Sequence, residues 1–181
     1  MHTIKTDKKV LIIGTGGKRP TDAFTLDINP LFEPDLIHDL NITPWPIPDN
    51  QFKQIICHHV LEHLNSISAV LEQLHRICRP DGEIYIEVPH FSSWIANFPD
   101  HKLRFSYFSI DEFLSEVYDK FAPLNHSSYK FKLLERKITF HRAFRRYFLD
   151  HLWNKFPKTY ERFWTYLIPA EHLKFRIRPL K

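Results

Sequence analysis

Lys9-Val10-Leu11-Ile12-Ile13-Gly14-Thr15-Gly16-Gly17 is a short apolar run that stops abruptly at glycines. A run of this length closed by glycines reads as a buried strand followed by a tight turn. The same grammar repeats downstream. Ala23-Phe24-Thr25-Leu26-Asp27-Ile28 ends at Asn29-Pro30, and Asp35-Leu36-Ile37-His38-Asp39-Leu40 follows. Phe52-Lys53-Gln54-Ile55-Ile56-Cys57-His58 is a fourth strand, and Glu83-Ile84-Tyr85-Ile86-Glu87-Val88 alternates polar and apolar until Pro89. Between the third and fourth strands, Pro44, Pro46 and Pro48 exclude a helix interior and a central strand, so that segment is a loop.

Val60, Leu61, Leu64, Ile67, Val70, Leu71, Leu74 and Ile77 recur at helical spacing, which predicts one long helix over 60–78, ended by the turn Arg79-Pro80-Asp81-Gly82. Residues 100–108 read as an ordered loop. Ser109, with Glu112 three residues on, has the form of a capping box opening another helix. Residues 129–140 read as a strand, 141–166 as one or two helices broken at Pro157, and the alternating stretch 173–178 as a final half-exposed strand. Strands alternating with helices predict an open α/β sheet with helices on its faces. Only nine residues separate the first two strands. A parallel crossover normally takes a dozen or more, so the first crossover helix is predicted to be short or missing.

In such a sheet ligands bind beyond the carboxyl ends of the strands. Those ends carry the glycine turn 14–17, Asp27, Asp39-Leu40, His58-His59 and Pro89-His90. A glycine lets backbone approach a ligand closely, and a carboxylate accepts both protons of a ribose diol. Each feature alone has an ordinary reading, a tight turn or a cap. Their convergence on one sheet edge is what singles out a site.

At 181 residues the chain is expected to form one domain, 1–181, with room for a core that needs no staples. Its two cysteines, Cys57 and Cys78, lie in apolar stretches and form no disulfide framework, so the chain is expected to be intracellular. The polar N-terminus has no signal-peptide pattern, and no apolar run approaches the roughly 18 residues needed to span a bilayer.

The residues quoted above carry a family resemblance. Val10 to Gly16, then Leu26-Asp27-Ile28, then His38-Asp39-Leu40 resembles the cofactor-binding series of class I S-adenosylmethionine-dependent methyltransferases. Pro46-Ile47-Pro48-Asp49-Asn50-Gln51-Phe52, then His59-Val60-Leu61-Glu62-His63-Leu64, then Leu74 to Glu83 is similar to the type 11-like branch of that family. The resemblance covers about residues 9–113 and is most specific over 46–90. Where the family usually has an acid, two residues before the first glycine, this chain has Ile12.

The resemblance implies a Rossmann-like, doubly wound, mostly parallel seven-stranded sheet with an antiparallel last strand and a helical insertion before it. It implies S-adenosyl-L-methionine as cofactor. Gly14, Thr15 and Gly16 would pass beside its methionine part. Asp27, with Ile28, would take the ribose, and Asp39 and Leu40 the adenine. His58 and His59 would line the cofactor and acceptor side. The reaction would be methyl transfer to a hydroxyl or similar nucleophile, with a sugar or lipid-linked glycan precursor as the acceptor. His90, His101 and Asp100 are the candidate catalytic residues, because an oxygen acceptor is helped by a base with a near-neutral pKa. His58, His59 and His63 invite a metal reading. Two of them fall within the family's own helix pattern and no cysteine pair accompanies them, so no metal is expected.

Charge divides the chain. Residues 1–120 carry 11 Lys and Arg against 17 Asp and Glu, and residues 121–181 carry 14 against 4. Within 141–170, Arg142, Arg145, Arg146, Lys155, Lys158 and Arg162 mix with Phe144, Tyr147, Phe148, Trp153, Phe156, Phe163 and Trp164. The readings open at this point are a helical cover packed on the sheet, a surface for an anionic membrane with the protein cytoplasmic and peripheral at the inner face, a homodimer face, and, ranked last, a nucleic-acid grip. Three other functions compete with the leading one. They are methylation of RNA, a non-catalytic binding protein on the same fold, and a nicotinamide dehydrogenase. The last is disfavoured because Arg19 stands where the third glycine of its fingerprint belongs.

Overall fold

The computed structural model describes residues 4, 6–17, 20–116, 128–145 and 149–181. Seven strands form one sheet: β1 (Val10–Ile13), β2 (Ala23–Asp27), β3 (Leu36–Ile37), β4 (Phe52–His58), β5 (Cys78–Pro89), β6 (Lys130–Phe140) and β7 (Ala170–Leu180). Their spatial order is β3-β2-β1-β4-β5-β7-β6. β1 to β5 pair in parallel, and β7 runs antiparallel to both β5 and β6. The predicted Rossmann-like fold and the antiparallel last strand are both present. The order reverses at β1, so the crevice between β1 and β4 is the topological switch point.

The helices depart further from expectation. Among the described residues none joins β1 to β2, and only a 3-10 turn at Pro30–Phe32 lies between β2 and β3. Residues 18–19, which include the Arg19 used above, lie outside the described part. The long helix predicted over 60–78 divides. Leu61–His63 is a 3-10 turn, and helix α1 spans Ile67–Ile77. Ser66 caps it, its hydroxyl accepting from the backbone N–H of Ala69. Val70, Leu71, Leu74 and Ile77 form its buried stripe, each worth ~2 kcal/mol relative to exposure. The capping box at Ser109 does not form. That hydroxyl accepts from the N–H of Ser106, and Asp111–Phe113 is a 3-10 turn. The insertion contains α2 (Arg142–Arg145), α3 (Leu149–Lys155) and α4 (Pro157–Phe163). The side chain of Arg145 and all of Arg146, Tyr147 and Phe148 lie outside what is described.

The two sheet faces differ. One carries the core: Leu11 and Ile13, Ile55 and Cys57, Ile84, Ile86 and Val88, Leu173, Phe175 and Ile177, all buried. The opposite face of β5, β7 and β6 carries charged rows. Glu83 pairs with Arg178 at 2.7 Å, Arg176 lies 3.7 Å from Glu135, and Lys174 lies 3.0 Å from Glu87. Two of these pairs join acids of the first part of the chain, Glu83 and Glu87, to cations of the last strand across the sheet. The Glu83 and Arg176 pairs are well exposed and add little stability. What they provide is a wettable face on strands that otherwise need a cover. Cys57 and Cys78 are buried and unpaired, and burial pushes both thiols well above their ordinary pKa.

Candidate cofactor pocket

The glycine turn is held by the second strand. Gly14 donates its N–H to the carbonyl of Leu26. Thr15 donates both its N–H (2.9 Å) and its hydroxyl (3.3 Å) to Oδ2 of Asp27, while Oδ1 accepts from the N–H of Asn29 at 2.9 Å. Asp27 therefore shapes the loop first and keeps free acceptor capacity on Oδ1 for a ligand. Gly14 and Gly16 have φ of +72° and +53°, a region that side chains disfavour. Gly14 is further constrained by Val60, whose Cγ2 would lie 2.0 Å from an added Cβ.

At the end of β4 the chain turns through His59, a non-glycine residue at φ +53°. Strained backbone of this kind persists where the surroundings fix it. Here the N–H of His59 is bound by the carbonyl of Glu87, and Nδ1 lies 3.2 Å from Oε1 of buried Glu62. His58 reaches the Glu87 carboxylate at 3.1 Å. Burial raises the pKa of Glu87, but bonds from Tyr85 and Lys174 and the charge on His58 outweigh it, and the carboxyl sits below its ordinary value. His172, whose ring lies 4.9 Å from that of His59, is pushed down by burial and by the charge of His59.

These elements enclose a pocket of about 680 Å³ at the switch point. Gly14, Gly16, Asp27, Ile28, Asp39, Leu40, His58 and His59 all line it. Thr15 does not, because its side chain is buried against Asp27. The Oδ1 of Asp39 is bound by the N–H and amide of Asn41. Phe32, His38, Val60, His63, Leu64 and Lys102 also line the pocket, and the sequence reading gave none of them a cofactor role. His63 was absorbed into the predicted helix, and only the break before Ser66 turns it toward the pocket.

The three candidate catalytic residues are not brought to the pocket wall. His90 is fully buried. Its Nδ1 lies 2.8 Å from Ser92 Oγ and its Nε2 lies 3.1 Å from Glu161 Oε1. With both ring nitrogens engaged, it ties the end of β5 to α4 and is a structural residue. Asp100 is 69% exposed and lies 3.3 Å from Nδ1 of His63. The His101 ring packs edge-on against His63, 4.7 Å between centroids. Both meet the pocket only through His63. Two groups of potential metal ligands occur among the described residues, His58 with His59 and Glu87, and Glu62 with His63 and His101.

Residues 23–86 match the family model of a methyltransferase domain. No curated protein matches the sequence significantly. A SAM-dependent methyltransferase from Archaeoglobus fulgidus is 15% identical with a TM-score of 0.54, the match covering 93% of this chain and 85% of that one. The [4+2]-cyclase SpnF is 12% identical with a TM-score of 0.56, over 97% of this chain and 75% of that one. The 1,6-didemethyltoxoflavin-N1-methyltransferase of Burkholderia thailandensis, bound to its substrate and S-adenosylhomocysteine, is 14% identical with a TM-score of 0.53, over 95% and 71%. At such identities the likeness is one of fold, and a fold hosts more than one chemistry. The matched segment runs from β2 into β5 and contributes most of the pocket, so the part of the chain that resembles a methyltransferase domain is the part that lines it.

Proposed function

We propose that this chain is an S-adenosylmethionine-dependent methyltransferase acting on a hydroxyl or similar nucleophile, and that the acceptor is a sugar or lipid-linked glycan precursor. The observation that carries the choice of nucleophile is that His59, His63 and Lys102 line the same pocket as Asp27 and Asp39. S-adenosyl-L-methionine supplies an electrophilic methyl group. The donors and acceptors present suit it, since Asp27 offers Oδ1 to a ribose and the glycine turn leaves no Cβ in the way. The chain's own contribution is alignment and proton removal. His59, rather than His90, is the imidazole on the pocket wall that would take a proton from an acceptor hydroxyl.

The lipid-linked part of the reading rests on the insertion. Trp153 and Tyr160 are buried, so one side packs as a cover. Leu152, Phe156, Phe163, Tyr166 and Leu167 are exposed on the same helices and the turn that follows. Lys155 lies 5.7 Å from the Phe156 ring and Arg162 lies 5.3 Å from that of Phe163. Cations beside exposed aromatics suit the headgroup region of an anionic bilayer.

The test begins with calorimetric titration of S-adenosylhomocysteine into wild type and Asp27→Ala, followed by transfer of labelled methyl to free sugars and to lipid-linked sugars. Micromolar binding abolished in the variant, then label in a sugar product, is the expected result. A folded protein that binds neither S-adenosylmethionine nor S-adenosylhomocysteine would be a binding module on this fold. Label transferred to RNA alone would replace the acceptor class.

A further inference from the structure

We infer that Glu62, His63 and His101 form a divalent transition-metal site at the wall of the pocket, which His63 lines. Glu62 is 1% exposed. Its Oε1 takes the His59 contact at 3.2 Å, and its Oε2 is buried with no hydrogen-bond partner. Nδ1 of His101 is likewise buried and unpartnered. One ligand atom from each of Glu62, His63 and His101 lies within 4.8 Å of the others. His63 directs Nδ1 at the carboxylate and carbonyl of Asp100, both at 3.3 Å. Those acceptors place the ring proton on Nδ1 and leave a lone pair on Nε2. Two of the converging side chains, Glu62 and His101, thus present buried polar atoms that nothing else in the described protein satisfies. A buried carboxylate oxygen in that state carries a large desolvation cost unless a cation meets it.

The surroundings fit the same conclusion. The backbone carbonyl of Glu62 accepts from the N–H groups of Lys102 (2.7 Å) and Leu103 (3.0 Å). Those two bonds draw the loop 100–103 onto the 3-10 turn and bring His101 to His63. Asp100 behind His63 has the form of the carboxylate–histidine–metal relay that fixes ring orientation. Two imidazoles and one carboxylate, with remaining positions open, suit Zn²⁺, Fe²⁺ or Mn²⁺ better than Ca²⁺ or Mg²⁺. His63 and Lys102 both line the pocket, so a cation held here would stand beside the acceptor and polarise its hydroxyl. That role, unlike the binding itself, rests on the methyltransferase reading.

The experiment is equilibrium dialysis of the chelator-treated full chain against Zn²⁺, and titration with Co²⁺ followed by its visible absorption. Wild type is compared with His63→Ala, His101→Ala and His58→Ala, each checked for folding by circular dichroism. One equivalent bound by wild type, at least about tenfold weaker in His63→Ala and His101→Ala and retained in His58→Ala, is the expected pattern. Substoichiometric binding by folded wild type, or binding that survives in both His63→Ala and His101→Ala, overturns the site. S-adenosylhomocysteine is titrated in parallel without metal. A protein that binds S-adenosylhomocysteine but takes up no metal in the dialysis loses the metal site and keeps the methyltransferase reading, and one that takes up metal but no S-adenosylhomocysteine does the reverse.

Discussion

Gly14 and Val60 stand so close that a Cβ on the glycine would lie 2.0 Å from Cγ2 of the valine. The turn after β1 and the segment after β4 are thus packed backbone against side chain, at the point where both line the pocket. Gly14→Ala adds a methyl group where none fits and places it at φ +72°. Overpacking and left-handed strain together predict a loss of about 3 kcal/mol. Urea unfolding of the variant measures it, and unchanged stability would mean that β1 and β4 are less tightly joined. Gly14→Ala with Val60→Ala should recover part of the loss, because the second change opens the space the first one needs.

Asp27 is expected to serve two masters. Its Oδ2 holds Thr15 and its Oδ1 faces the pocket side of Asn29. Asp27→Asn keeps an acceptor and the shape of the loop but loses charge-assisted bonding to a diol. It should bind S-adenosylhomocysteine about tenfold more weakly, whereas Asp27→Ala, losing the loop as well, should fall by on the order of 100-fold. Calorimetry separates them, and equal losses would mean that loop shape is all that Asp27 supplies.

The sheet was legible because β1, β2 and β5 stop at a glycine, an acid and a proline while β5 and β7 alternate at strand period, and the pocket was legible because it lies where the parallel strands end. The helix over 60–78 was misread for a physical reason. Val60, Leu61 and Leu64 are apolar at helical spacing, but His59 turns the chain left-handed and Val60 is committed to Gly14, so helical geometry begins only at the Ser66 cap. Asn65-Ser66 was the available signal. His90 was misplaced because its partner Glu161 is 71 residues away in sequence, and nothing local announces that the insertion folds back on β5. Thr15 was expected in the turn beside the cofactor, and the bond from its hydroxyl to Asp27 is a contact that no local pattern announces.

Ser66 begins the longest helix in the described structure, and its hydroxyl satisfies the N–H of Ala69 at 3.3 Å. Ser66→Ala should cost ~1 kcal/mol, and Ser66→Asp should restore most of it because a carboxylate also accepts at that position and opposes the helix dipole. Thermal unfolding of the three proteins checks the order. An alanine variant as stable as wild type would place α1's stability wholly in its buried stripe.

Glu87 couples β4, β5 and β7 through His58, Tyr85 and Lys174. Its carboxyl sits below its ordinary 4.5 in the fold, although burial opposes this. A lowered carboxyl stabilises the fold above the unfolded pKa, and the contribution is lost as pH falls through the folded value. Wild type should therefore exceed Glu87→Gln in stability at pH 7, and the gap should close below pH ~4.5. Chemical denaturation at several pH values tests the sign. A gap that widens toward acid would mean that Glu87 is held protonated in the fold.

The insertion's exposed side gives the last expectation. Phe156 is 48%, Phe163 65%, Tyr166 93% and Leu167 72% exposed, while Lys155, Lys158 and Arg162 lie on the same stretch 155–167. Water makes that apolar exposure unfavourable, and cations alone would be satisfied by solvent. Their combination is favourable at an anionic lipid surface, where each basic residue near the surface adds ~1 kcal/mol and the rings enter the headgroup boundary. Co-sedimentation with vesicles of phosphatidylglycerol and phosphatidylcholine should therefore exceed that with phosphatidylcholine alone and weaken as salt rises. Phe163→Ser with Leu167→Ser should reduce binding at every salt concentration, whereas Lys158→Gln with Arg162→Gln should mainly flatten the salt dependence. Equal sedimentation with both vesicle types, or none, leaves the same face to a second copy of the chain, which analytical ultracentrifugation reads as a dimer weakened by the serine pair.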